Sequence, residues 1–192
     1  MQALPAGPSP APRRQLIVGA ALSAVAVVML MGGMLAIWAL KRTEATDAGL
    51  SWVPDGVTVP EVPSNVILIA FLGVCVFAQW AVWSAKRGDR GHTVFALACT
   101  AFVGLLIINA QAFVYSEMGL PIAEGTFAPM FYAVTGTFIA LMVVGIVFSA
   151  VATFRYLAGR TQEREILTAH AIYWYTMAVV YAAIWFVVYV TK

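Results

Sequence analysis

Residues 128–157 read APMFYAVTGTFIALMVVGIVFSAVATFRYL, thirty residues in which Arg155, two places from the end, is the only charge. About 20 residues of α-helix, rising 1.5 Å each, cross a hydrocarbon core of about 30 Å, so this run is long enough to span a membrane. The same pattern returns on either side of it. Leu16–Leu40, Val66–Ala85 and Thr93–Tyr115 precede it and Thr168–Val190 follows, which gives five candidate spans at about 16–40, 66–85, 93–115, 128–157 and 168–190. The predicted fold is all-α: a polytopic membrane bundle of five transmembrane helices over 16–192, after a flexible cytoplasmic tail at 1–15 that is too rich in Pro and Ala to bury an apolar surface. Arg13 and Arg14 before the first run suggest a signal peptide, but a secretory apolar core is roughly 7–15 residues and this one is about 25, so it reads as a retained span.

Composition agrees. Of 192 residues, 62% are hydrophobic and 10% charged, with a mean hydropathy of +0.88, where a soluble domain carries about 25% charged residues. Eleven Lys and Arg against nine Asp and Glu leave a net charge of +2, set in short blocks, which favours neither nucleic-acid binding nor surface adsorption. Cys75 and Cys99 lie in apolar runs without a partner at metal-site spacing, so they read as packing residues rather than as a disulfide, zinc or c-type haem framework.

Five spans sort the charges by side. Arg13, Arg14, Lys86, Arg87, Arg90, Arg155, Arg160 and Arg164, eight of the 11 basic residues, fall on the side of the N-terminus, and only Lys41, Arg42 and Lys192 fall on the other. The positive-inside rule then places the N-terminus inside and the C-terminus outside. The 41–62 connection, with Pro54 and Pro60, reads as an irregular outer loop, re-entering the membrane at Pro63.

No charge is left within a predicted hydrocarbon core. Pumps and ion-coupled transporters need intramembrane Asp, Glu, His, Lys or Arg to carry charge through a medium that excludes it, so a small transporter is disfavoured. The polar residues in the spans are neutral. Asn109 and Gln111 in span three read as interhelical hydrogen-bonding groups. His92 lies in a loop and His170 at the entry to span five, with no opposed intramembrane His, and His170 is expected to be solvated or bonded to backbone. Met29, Met31 and Met34 read as packing rather than copper ligands. Gly32, Gly33, Gly73, Gly104, Gly136 and Gly145 are expected where helices approach closely. Trp38, Trp80, Trp83, Tyr173 and Trp174 near span ends suggest aromatic belts, with Tyr181 and Trp185 deeper.

Several stretches resemble subunit III of the haem-copper terminal oxidases, in the five-helix form of bacterial cytochrome c and quinol oxidases. Phe131-Tyr132, Thr135-Gly136 and Gly145 are similar to the family's Phe-Tyr, Thr-Gly and later Gly in order and spacing. Tyr173-Trp174 followed by Val179-Val180 resembles the opening of its last helix, while Gln79 before Lys86-Arg87-Gly88-Asp89, and Gln111, resemble further family positions. The departures are all in one direction. The family's Ser-Glu pair becomes Ala26-Val27, its Gln-x-x-Glu becomes Gln111 to Val114, its two histidines of span four fall on Phe138 and Leu141, and its His and Asp of span five fall on Tyr175 and Ala178. Glu117, three residues beyond Val114, is the candidate substitute for the lost carboxylate.

The resemblance implies a non-catalytic subunit that flanks the catalytic subunit I and stabilises it by helix and lipid packing in a bacterial plasma membrane. This chain would bind no cofactor of its own; haem and copper would sit in partner subunits, and phospholipid is a further candidate ligand. The alternative is an accessory or assembly factor of a related oxidase or nitric oxide reductase complex.

Overall fold

The computed structural model describes residues 14–120, 125–161 and 164–191. Most of the expected tail, together with Arg13, Glu124 and Lys192, lies outside the described residues. Five α-helices follow one another: α1 Gln15–Asp47, α2 Glu61–Lys86, α3 Arg90–Met118, α4 Phe127–Leu157 and α5 Glu165–Ile184. The last passes without a break into a π-helical turn, Trp185–Val190. All five are long and apolar enough to cross a membrane, α5 together with its π-turn.

The helices overrun the predicted spans. α1 continues seven residues past Leu40, so Lys41, Arg42, Glu44 and Asp47 are helical rather than part of an irregular loop. Hydropathy marks where a helix leaves lipid, not where it stops. Here Lys41 pairs with Glu44 at 2.7 Å, and Thr43 and Thr46 donate to the carbonyls of Ala39 and Arg42, so the polar turns hold themselves together in water. α3 likewise continues to Met118 and carries Glu117; it stops at Gly119, whose φ of +53° is a left-handed cap that favours glycine. Pro63 sits in the first turn of α2, where the backbone N–H it lacks would have no helical partner.

Antiparallel neighbours form a ring, with α2 against α3, α3 against α4, α4 against α5 and α5 against α2; α1 lies outside it, mainly on α5. Contacts at both ends fix this alternation. At one end the Ile17 backbone N–H donates to Glu165 at 3.1 Å, and Arg90 donates to the Leu157 carbonyl. At the other, Tyr181 donates to the Ser64 carbonyl at 3.1 Å and Trp185 to Asn65 at 2.7 Å. α3 shows how the ring is filled: Leu97, Thr100, Gly104, Ile107, Gln111, Val114 and Met118, spaced alternately by three and four, are all buried. Outward faces carry Leu22, Met29, Ile69, Leu72, Phe102 and Val179, all exposed, as a surface meeting acyl chains would.

Candidate functional site

Most of the family-like residues that the sequence singles out gather into two clusters, one toward each end of the ring. The first is built around Trp174, which is fully buried. A Cβ placed on Gly104 would come within 3.0 Å of its ring, and one on Gly145 within 3.1 Å of it and 2.7 Å of the Tyr173 ring. Two glycines on α3 and α4 thus leave the space that the Tyr173-Trp174 pair of α5 occupies. Tyr173 then donates to the Leu141 carbonyl at 2.6 Å. The indole N–H of Trp174 reaches Ser149 Oγ at 3.1 Å and His170 Nε2 at 3.0 Å, and Ser149 Oγ lies 2.7 Å from His170 Nε2. His170 is therefore buried and held by side chains rather than solvated or bonded to backbone as expected. Its Nδ1 has no hydrogen-bond partner among the described residues.

The second cluster joins α3, α4 and the π-turn. Gln111 donates to the Tyr189 hydroxyl at 3.1 Å, and both residues are buried. Tyr115 donates to Thr135 Oγ1 at 2.8 Å, Thr135 to the Phe131 carbonyl at 2.6 Å, and Tyr132 to the Leu120 carbonyl at 3.2 Å. Phe131 packs edge-on to Tyr115 and Tyr189 and parallel to Phe127. Of the other family-like residues, Gly145, Tyr173 and Trp174 belong to the first cluster, and Gln79 and Gly136 to neither. Gln79 is exposed on α2 and accepts from Tyr175 at 2.7 Å. A Cβ on Gly136 meets nothing within 4 Å, and the same is true of Gly32, Gly33 and Gly73, so only Gly104 and Gly145 of the six expected glycines allow a close approach.

The positions where the family's ionisable groups would fall are occupied by neutral contacts. Phe138 packs against Phe71 and Tyr181 at 6.0 and 5.2 Å. Val114 is fully buried, whereas Glu117, one turn on, is exposed on the outside of α3, so the two do not share a site. Tyr175 bonds Gln79, and Val27, Leu141 and Ala178 are half-buried packing residues. Among the described residues no group of three or more His, Cys, Asp or Glu is placed to hold a metal ion.

The sequence reading missed a third cluster. Trp38, assigned to a belt, is fully buried, and Trp52 from the 48–60 connection packs edge-on against it at 5.2 Å, both against Phe127 at 5.4 and 5.6 Å. Neither indole N–H has a hydrogen-bond partner among the described residues. A cavity of about 720 Å³ opens beside this cluster, lined among others by Lys41, Glu44, Ser51, Trp52, Asp55 and Phe127. No periodic signal marks Trp52, because it comes from a loop. Trp83 and Trp80 do lie at an edge of the bundle: Arg87 stacks over Trp83 at 3.7 Å, and Trp80 lies 5.9 Å from His92.

A family described as cytochrome c oxidase subunit III matches residues 9–192. Proteins of that name are similar to the chain: that of Cyprinus carpio is 29% identical over 168 residues, covering 85% of this chain and 64% of the carp protein. Those of Prototheca wickerhamii (28% over 149 residues, 74% of this chain and 56% of that protein) and Strongylocentrotus purpuratus (29% over 154 residues, 76% and 56%) are similar too. The chain spans less than two thirds of the length of these relatives.

Proposed function

The chain belongs to the cytochrome c oxidase subunit III family, and on that premise we propose that it is a non-catalytic, multi-pass component of a haem-copper terminal oxidase in a bacterial plasma membrane. Its partners in this reading are the catalytic subunit I, the other subunits of the complex and membrane lipid. Haem and copper belong to those partner subunits, and phospholipid is a ligand that the apolar outer faces of the bundle would accommodate. One observation supports the reading above the rest: most of the family-like residues, Gly136 excepted, are used in packing one helix on another. Gly145 makes room for Tyr173 and Trp174, and Gln111 holds Tyr189 across the ring. Neutral side chains stand at the family's ionisable positions, so the role proposed is to hold a scaffold against the catalytic subunit rather than to gather protons for it.

Extraction in a mild detergent followed by affinity purification of the tagged full chain tests this. The expected result is recovery of a haem-containing catalytic subunit in a one-to-one ratio. Strains lacking the chain should keep the haem spectrum and the initial turnover of the complex but lose activity sooner during sustained turnover. Recovery only with unassembled precursors, and a mature complex indifferent to loss of the chain, would instead identify an assembly factor.

A further inference from the structure

α3 carries a second stripe, back to back with the buried one. Phe95, Ala98, Phe102, Leu105, Asn109, Ala112 and Ser116 again alternate by three and four, and every one of them is exposed. That spacing is the heptad pattern by which one helix packs along another at a left-handed crossing of about 20°. Each stripe holds one carboxamide. On the inner stripe Gln111 bonds Tyr189. On the outer one Asn109, which is exposed, makes no hydrogen bond among the described residues. It lies five residues from the middle of α3, about 7 Å along the axis, and so falls inside a hydrocarbon core about 30 Å thick. A carboxamide has two N–H donors and an acceptor oxygen, and acyl chains can satisfy none of them. Gln79 and Asn65, also exposed on helices, each accept a hydrogen bond from α5 or its π-turn, so Asn109 stands apart from them.

We propose that the outer stripe of α3 is a self-association surface, on which a second copy of this chain seats its own α3 with the two Asn109 side chains hydrogen-bonded to each other. Copies inserted with the same orientation are related by a two-fold axis along the membrane normal, which lays α3 parallel to itself and brings Asn109 to Asn109 at equal depth. A carboxamide is both donor and acceptor, so the pair is complementary by symmetry; an unrelated helix would need a matching group at that one depth. Ala98 and Ala112, on either side of the asparagine, let the backbones approach. No Asp, Glu, Lys, Arg or His lies between His92 and Glu117, so two such stripes meet without like-charge repulsion in the membrane. This surface goes beyond the oxidase reading and does not depend on it.

The test uses the full chain in native membranes with Cys75 and Cys99 replaced by Ser. Single cysteines are introduced as Ala98→Cys, Leu105→Cys and Ala112→Cys along the stripe, and as Val147→Cys on the exposed face of α4. Oxidation should give a covalent dimer at the three stripe positions and none at Val147. In energy-transfer titrations between labelled copies in lipid vesicles, Asn109→Leu should raise the dimer dissociation constant about threefold to tenfold, and Asn109→Gln, which keeps the carboxamide, by less. No cross-link along the stripe, equal cross-linking at Val147, or a stripe product formed only with a polypeptide of another mass would overturn the proposal. Recovery of the catalytic subunit is scored in a separate experiment, so either reading can fail alone.

Discussion

Gly145 and Gly136 sit on one helix nine residues apart, and the structure gives them opposite expectations. Gly145→Ala drives a methyl to 2.7 Å from the Tyr173 ring, and since Trp174 blocks the other side, the change should destabilise the bundle by about 1–3 kcal/mol. Gly136→Ala meets nothing and should be neutral or stabilise by up to about 1 kcal/mol through helix propensity. Denaturation of the purified chain in mixed micelles compares the two; equal losses would contradict the packing described. Composition supplied both glycines as candidates but could not separate them, because the contact that distinguishes them comes from a helix almost 30 residues further on. For Asn109 and Gln111 the spacing itself separates two faces. Residues two apart on an α-helix point about 200° from each other, so both could never face the same neighbour. That Gln111 faces inward and finds Tyr189, 78 residues away, is information only the fold contains. His170 was misplaced for a related reason: proximity to a helix start suggests water, but Ser149 and Trp174 enclose it.

At the scale of elements, the five apolar runs were legible because nothing but a membrane helix accommodates them, and their ends were not, because a helix continues for as long as local pairs support it. The turn between α2 and α3 shows such local support at a start. Asp89 caps α3, its carboxylate accepting the His92 backbone N–H at 3.0 Å and lying 2.6 Å from the His92 ring. The backbone N–H first, then the ring, holds the Asp89 carboxyl below its ordinary value. A group whose value is lowered by folding stabilises the folded state above its unfolded pKa, about 3.9, and loses that contribution as the pH falls through the lower folded value. Hydrogen exchange at the first turn of α3 in lipid nanodiscs should therefore, after correction for intrinsic rates, lose protection below about pH 4. Asp89→Ala should weaken protection throughout and abolish the acid step. An acid step that survives in that variant would assign it to another group.

Over the whole molecule, alternation of the helices places the basic residues Arg14, Lys86, Arg87, Arg90, Arg155, Arg160 and Arg164 at one end of the bundle, with Lys41 and Arg42 at the other. If the richer end faces the cytoplasm, as the positive-inside rule expects, then a cysteine at Ser51 in the 48–60 connection should react with an impermeant thiol reagent in intact cells and one at Gly91 should not. Both positions are exposed, and the background again lacks Cys75 and Cys99. The reverse pattern would invert the topology. How the helices are grouped was beyond the reach of the sequence: five spans permit many rings, and which helix stays outside depends on faces that are apolar all round. It is α1 that lies outside, resting on α5, and this has a consequence in time. About 120 residues separate the end of α1 from the start of α5, and at about 5–20 residues per second a ribosome needs about 6–24 s to make them. For that interval α1 waits in the bilayer without its main neighbour, and a helix with no charge between Arg14 and Lys41 can wait there at little cost. The helix made before the other four is thus the one whose seat is finished last.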